Sequence, residues 1–166
     1  MKNHYLFLLF LFCNQISFYC LAQAEESDIS VEQAYIRASI PGSDISSAYM
    51  IITNNSEKAV TLLGASSNIS PRIELHQHIM EADLMRMRKI NAMIIKGNER
   101  VILQPSGLHL MLFDVKKPLK PRHKVELTLR FSDKKPVSIQ VPVYSPIQER
   151  SAQKADRQLS TMQHHH

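Results

Sequence analysis

The chain has 166 residues, 44% of them hydrophobic and 21% charged, a balance too apolar for a disordered polymer and large enough to bury one core. Its 20 Lys and Arg against 15 Asp and Glu leave a formal charge of +5. That excess suits anionic surfaces, but the basic residues form no dense stripe, which argues against a nucleic-acid partner.

Residues 1–24 read as a cleavable export signal: Lys2, an apolar run from Tyr5 to Cys13, then Ala22-Gln23-Ala24 as a small-x-small cleavage motif, with Glu25 as the mature start. The apolar run is about nine residues, well short of the roughly 20 needed to span a bilayer, so no stable membrane insertion is expected after cleavage. Cys20, set in Ser17-Phe18-Tyr19-Cys20-Leu21, lacks the small neighbours that lipoprotein processing prefers. Cys13 and Cys20 are the 2 cysteines of the chain, so cleavage leaves no thiol. In an oxidising compartment this excludes disulfides, thiolate catalysis and thiolate metal sites.

From Val31 onward the pattern is that of an all-β protein. Residues 31–40 form a strand, and Pro41-Gly42-Ser43-Asp44 supplies a turn. The β-branched and aromatic run 47–53 ends at Asn54-Asn55-Ser56 and leads to the apolar run from 59 to 63. Short runs follow at 72–78, 84–90, 93–96, 101–104, 108–114, 124–131 and 137–144. About ten short strands without helical periodicity predict an antiparallel β-sandwich or barrel. The cleanest alternation, Val125-Glu126-Leu127-Thr128-Leu129-Arg130-Phe131, sends every second residue into the core. One domain over residues 25–147 accounts for this pattern. Residues 148–166 lose the apolar period and read as a flexible polar C-terminal tail.

Histidine and methionine carry the chemistry. In Leu108-His109-Leu110-Met111-Leu112 the strand period of two puts His109 and Met111 on one face and the leucines on the other. In Arg72-Ile73-Glu74-Leu75-His76-Gln77-His78, His76 and His78 share a face with Arg72 and Glu74, which places His76 near solvent, while Ile73 and Leu75 point to the core. Met85 and Met87 share a face of the next strand. Soft thioethers with imidazoles suit Cu(I), whereas hard ions demand carboxylates and a stable zinc site wants three or more His, Cys or carboxylate ligands. A blue-copper electron-transfer centre needs a cysteine, and none remains. The chemistry points to carrying copper rather than cycling it.

His76, Met87, His109 and Met111 stand in the spacing H-x10-M-x21-H-x-M. This pattern resembles the signature of the periplasmic PCuAC copper chaperones. The stretches Ala34-Tyr35-Ile36-Arg37-Ala38, Ser47-Ala48-Tyr49-Met50, Ile73-Glu74-Leu75-His76 and His109-Leu110-Met111-Leu112 resemble further family blocks, in the same order, and the likeness runs from about Val31 to Val143. The resemblance implies a cupredoxin-like or Ig-like β-sandwich that holds one Cu(I) at an exposed rim. It also implies delivery during cytochrome c oxidase assembly, to the oxidase copper site or to a thiol-bearing assembly factor. Pro121-Arg122-His123 departs from the family, which has a glycine-containing turn there.

Other residues read more simply. Met50 and Met93, among apolar neighbours, read as core filler, and His123 as exposed. His78 reads as a surface residue or a contributor to a second metal site. The terminal Met162, His164, His165 and His166 form either a weaker metal-binding tail or the remnant of a tag. Arg86, Arg88 and Lys89 suggest a basic rim for an acidic partner. No G-x-S-x-G or interpretable nucleophile motif is present, and four saturating ligands leave no open position for a substrate, so the chain is expected not to be an enzyme. It is expected to act as a monomer. The alternatives are a metal-free secreted binding or adhesion module, and a copper scavenger that does not deliver its ion.

Overall fold

The computed structural model describes residues 28–81, 83–132 and 134–163, with side chains up to residue 154. The export signal read at 1–24 and His164, His165 and His166 lie outside the described residues. Ten strands follow one another: β1 (Ile29–Arg37), β2 (Ser46–Asn54), β3 (Val60–Ser66), β4 (Arg72–Glu81), β5 (Leu84–Ile90), β6 (Met93–Ile95), β7 (Arg100–Leu103), β8 (Leu108–Phe113), β9 (Lys124–Phe131) and β10 (Val137–Tyr144). Each of the ten predicted runs coincides with one of them.

The strand order is β5-β4-β8-β7-β2-β1-β10-β9-β3-β6, with β8 also paired to β2. The first six form one layer and the last four the other, joined by the parallel pair β1–β10. Apart from this pair and β7–β8, the pairings are antiparallel. The inner faces meet in a single core: Ile36, Met50, Ile52, Leu75, Leu110 and Leu112 from the larger layer, and Val60, Leu62, Leu127, Leu129, Val141 and Val143 from the smaller. Burying each such aliphatic side chain contributes roughly 1.5–3 kcal/mol, which is why the alternating apolar residues dictate the sandwich. Met50 is buried in this core and Met93 packs against it, as their neighbours implied.

A β-bulge in β1 decides what its second half presents. Glu32 is opposite Ile51 and Tyr35 is opposite Tyr49, so β1 advances three residues while β2 advances two. Gln33 adopts φ 51 at this point. The extra residue reverses the parity of the strand. Ile29 and Val31 face the core before it and Ile36 after it, and Tyr35 and Arg37 thereby turn to the outer face.

The tail differs from expectation. Residues Pro146–Gln163 form a helix, α1, where the sequence reading placed a polar extension without structure. The helix has no strong apolar stripe, and that reading relied on periodicity alone. Its start is written in Ser145-Pro146-Ile147-Gln148: the Gln148 side chain accepts from the Ser145 amide (3.0 Å) and the Ser145 hydroxyl accepts from the Gln148 amide (3.3 Å). This is a reciprocal capping box with proline at the first helical position. Glu149, buried in the first turn, forms a two-point ion pair with Arg37 that ties the helix to β1.

The turn before β9 takes a form that favours glycine, with Arg122 in its place. The His123 amide donates to the Lys120 carbonyl (3.3 Å), Pro121 takes the second position, and Arg122 sits third with φ 71. That is the left-handed position of a type II turn, which favours glycine. An L side chain there costs about 1–2 kcal/mol, of which the greater unfolded-state freedom of glycine returns part. Arg122→Gly is therefore expected to raise stability by about 0.5–1 kcal/mol in urea unfolding. A loss of stability would mean that the guanidinium makes a compensating contact.

Candidate metal centre

Strands β5, β4 and β8 are neighbours, so the three segments that hold the candidate ligands lie side by side. His76 is directly opposite His109 on one side and Lys89 on the other. His78 is opposite Met87, and Glu74 is opposite Met111. Residues opposite one another share a face, and the period is two, so Glu74, His76, His78, Met87, His109 and Met111 all lie on the outer face of the larger layer. Ile73, Leu75, Leu110 and Leu112 take the inner face. The ring centroids of His76 and His109 are 6.0 Å apart, and those of His78 and His109 are 5.2 Å apart. Met111 stands one strand step from His109, and Met87 lies diagonal to His76 across β4 and β5. The sequence thus puts all four candidates on one surface.

Hydrogen bonds set which nitrogen of each ring is available. The Nδ1–H of His109 donates to the Gly107 carbonyl (3.1 Å), which leaves the lone pair of the neutral ring on Nε2. In His76 the arrangement is reversed: Nε2–H donates to the Glu74 carboxylate (3.0 Å), and the lone pair rests on Nδ1. That Nδ1 is buried and has no hydrogen-bond partner, and neither does Nδ1 of His78. A buried nitrogen lone pair without a donor costs about 1–3 kcal/mol, and a metal ion would relieve it. Orienting a ligating imidazole through its other nitrogen is the usual way proteins fix such ligands. Hydrogen bonds from Lys89 and His76 hold the Glu74 carboxyl at about 2, well below the usual carboxylate range. Burial above all pushes the His109 imidazole below its ordinary value, despite the Gly107 bond.

The face is more enclosed than the sequence implied. The His76 side chain is only 11% exposed and His109 only 2%, whereas Met87 is 43% exposed. The expected exposed position of His76 is therefore corrected: the outermost candidate is the thioether. His76 packs near Phe113, over whose ring the Arg72 guanidinium sits at 3.9 Å. Rings continue behind His109 through Tyr49, Tyr35 and Tyr144, where Tyr35 and Tyr144 stack at 4.9 Å. Tyr35 joins this row only because of the bulge in β1. Local alternation could not show that; the clue in the sequence was the phase change between Val31 and Ile36.

The basic rim is also corrected. Arg86 and Arg88 point to the face opposite Met87 and both pair with Glu81, while Lys89 pairs with Glu74. Their charges are largely met within the hairpin. His123 is exposed, as expected. A polar hollow lined by Ser66, Ser67, Asn68, Glu126 and Thr128 lies on the smaller layer, away from these groups. Among the described residues, no group of three or more His, Cys, Asp or Glu is placed to hold a metal ion. A metal on this face would have to draw on methionine sulfur.

Comparison with known proteins agrees with this architecture. The LpqE-like family model, named for a lipoprotein, matches residues 29–143. The chain belongs to the LpqE-like family. A Leifsonia xyli subsp. xyli relative, Lxx21020, also named as a lipoprotein, is 31% identical over 117 residues, covering 69% of each chain. RP573 of Rickettsia prowazekii, an uncharacterized protein, is 32% identical over 89 residues, or 53% of this chain and 49% of that one. Among solved structures, the copper-bound PCuAC domain from PmoF2 matches with a TM-score of 0.62 and 25% identity, covering 72% of this chain and 94% of that domain. The Cu(I) form of DR1885 from Deinococcus radiodurans gives 0.58 and 27%, covering 76% and 85%. The LpqE-like chain therefore has the cupredoxin-like sandwich of PCuAC domains, as the sequence pattern suggested.

The buried His109 makes stability depend on pH. The fold keeps the ring neutral below the ordinary imidazole value of about 6.5, so between that value and its depressed one the unfolded chain binds the extra proton. Stability is thus expected to fall as pH drops below about 6.5, and His109→Gln should flatten the decline in metal-free urea unfolding. A decline of undiminished slope in that variant would assign it to other groups. Glu74 acts at lower pH: its stabilisation is complete above about 4.5 and is lost as pH falls toward 2.

Proposed function

We propose that this protein is an exported, monomeric Cu(I) carrier that holds one ion through His76, Met87, His109 and Met111 and delivers it during cytochrome c oxidase assembly. The observation that carries this reading is the register that sets His76 against His109 on the face that also presents Met87 and Met111. Imidazole and thioether donors select Cu(I) over hard ions, and copper-bound relatives of this fold support the choice of metal. The resemblance in sequence spacing supports the ligand set. The export signal read at residues 1–24 and the lipoprotein names of relatives support a periplasmic setting.

The chemistry is ligand exchange, with copper remaining Cu(I) throughout. Neutral rings supply the lone pairs of His76 Nδ1 and His109 Nε2, while the Glu74 and Gly107 contacts keep each ring aimed. Thioethers carry no charge and no proton, so they hold the ion less firmly than thiolates and release it without a protonation step. Met87, the exposed donor, is the one an incoming ligand of the acceptor can replace first. The acceptor is the oxidase copper site or a thiol-bearing assembly factor, and the ion passes to it by direct docking.

Anaerobic Cu(I) titration against a competing chelator tests the ligand set. Met111→Leu, which conserves size, should lower affinity by about tenfold or more without loss of folding. Affinity should also fall with pH through the histidine range, with a slope approaching about two protons. An unchanged affinity in the Met111 variant would sink the assignment. Delivery is read from the transfer rate as apo acceptor concentration rises: docking predicts a rising rate. A rate independent of acceptor would leave a copper scavenger, and no copper uptake at all a metal-free binding module.

A further inference from the structure

The proposed centre uses two of four methionines that this face presents. Met80 on β4 and Met85 on β5 are directly opposite one another, one strand step beyond the His78–Met87 pair and on the same face. They are 66% and 57% exposed, so neither fills the core. Directly opposed side chains have Cβ atoms about 4.5–5.5 Å apart, close enough for two flexible thioether arms to converge on one ion. His78 is the next residue inward on this face, and its Nδ1 has no hydrogen-bond partner. Of the charged residues of the hairpin, Glu81, Arg86 and Arg88 pair with one another on the opposite face, and Lys89 on this face pairs with Glu74 further along the strands.

From this placement we infer that the β4–β5 hairpin carries a second, outer site for a soft monovalent d10 ion, formed by Met80, Met85 and His78. Its donors are all neutral, so it favours Cu(I) or Ag(I) and offers nothing to Mg²⁺, Ca²⁺ or a structural Zn²⁺. It lies a strand step, about 7 Å, outside the Met87 row, toward the hairpin tip. An ion held there lies between the exposed thioethers and the buried Nδ1 of His78, with Met87 as the next donor inward. The outer site thus provides a point where metal enters or leaves before it reaches the enclosed histidines. The inference extends the copper reading but stands on residues that the inner centre does not use.

The test is a titration of the exported protein, labelled with 13C at the methionine methyls, with Ag(I) in chloride-free buffer. Each thioether then reports separately, and any binding elsewhere in the chain is seen apart. The methyls of Met80 and Met85 are expected to shift together in a step distinct from, and weaker than, that of Met87 and Met111. Met80→Leu and Met85→Leu should each weaken the outer step by about tenfold, the double variant little more than either, because two arms act as one chelate. His78→Gln should weaken it as well. The inner step should survive in all four variants. Loss of the Met87 and Met111 shifts with the outer step intact would count against the inner centre alone. Unshifted Met80 and Met85 methyls at excess Ag(I), independent effects of the two methionine variants as for isolated surface thioethers, or an outer step indifferent to His78→Gln would overturn the outer site.

Discussion

The antiparallel register between β4 and β8 is the constraint on which the face depends. Because side chains alternate, a slip of one residue would send His76 and His78 into the core and bring Ile73 and Leu75 into water. Two layers of apolar pairs oppose such a slip, Ile73 against Leu112 and Leu75 against Leu110. Polar contacts pin both ends. The buried Ser70 hydroxyl donates to the Phe113 carbonyl (2.6 Å) at one end, and the Gly107 carbonyl accepts from the His78 amide (3.3 Å) and His109 Nδ1 at the other. Neutral hydrogen bonds each contribute about 1 kcal/mol, while the apolar pairs contribute more. Packing thus chooses the register and the polar ends sharpen it.

The same face joins two opposed demands. The histidines are enclosed and aimed, and burial favours the neutral ring of His109, at the cost of leaving buried nitrogens of His76 and His78 without a partner in the protein. The methionines on the β5 side are open to solvent. On the proposed copper reading, affinity and release fall to different parts of one surface. The row of tyrosines behind His109 continues this enclosure across β2 and β1, and the Arg37–Glu149 pair closes it with the start of α1.

How much of this could be read in the sequence follows from the length scale of each signal. The ten strands were legible because alternation and turn residues act over a few positions, as in β9 and at Asn54-Asn55-Ser56. The shared faces of His109 with Met111, and of His76 with His78, followed from the same period. The bulge at Gln33 was not legible, since it depends on the match between β1 and β2, and it reassigned Tyr35 and Arg37. The enclosure of His76 was also hidden, because alternation tells which face a residue takes but not what covers that face. Helix α1 escaped a search for apolar period, although Ser145-Pro146 with Gln148 marked its start. Arg122 shows the converse: the departure from glycine was visible, yet the backbone kept the turn and accepted the strain.

The exposure of Met87 has a chemical consequence of its own. Thioethers in contact with an oxidising solution are converted to sulfoxides, which present a hard oxygen in place of a soft sulfur. Met80 and Met85 are the most open of these and would be struck first, Met87 next, and the more sheltered Met111 last. Damage would therefore work inward from the hairpin tip, with the imidazoles and the sandwich beneath them reached last. Enzymatic reduction of these outer sulfurs would restore the surface without any need to refold the chain.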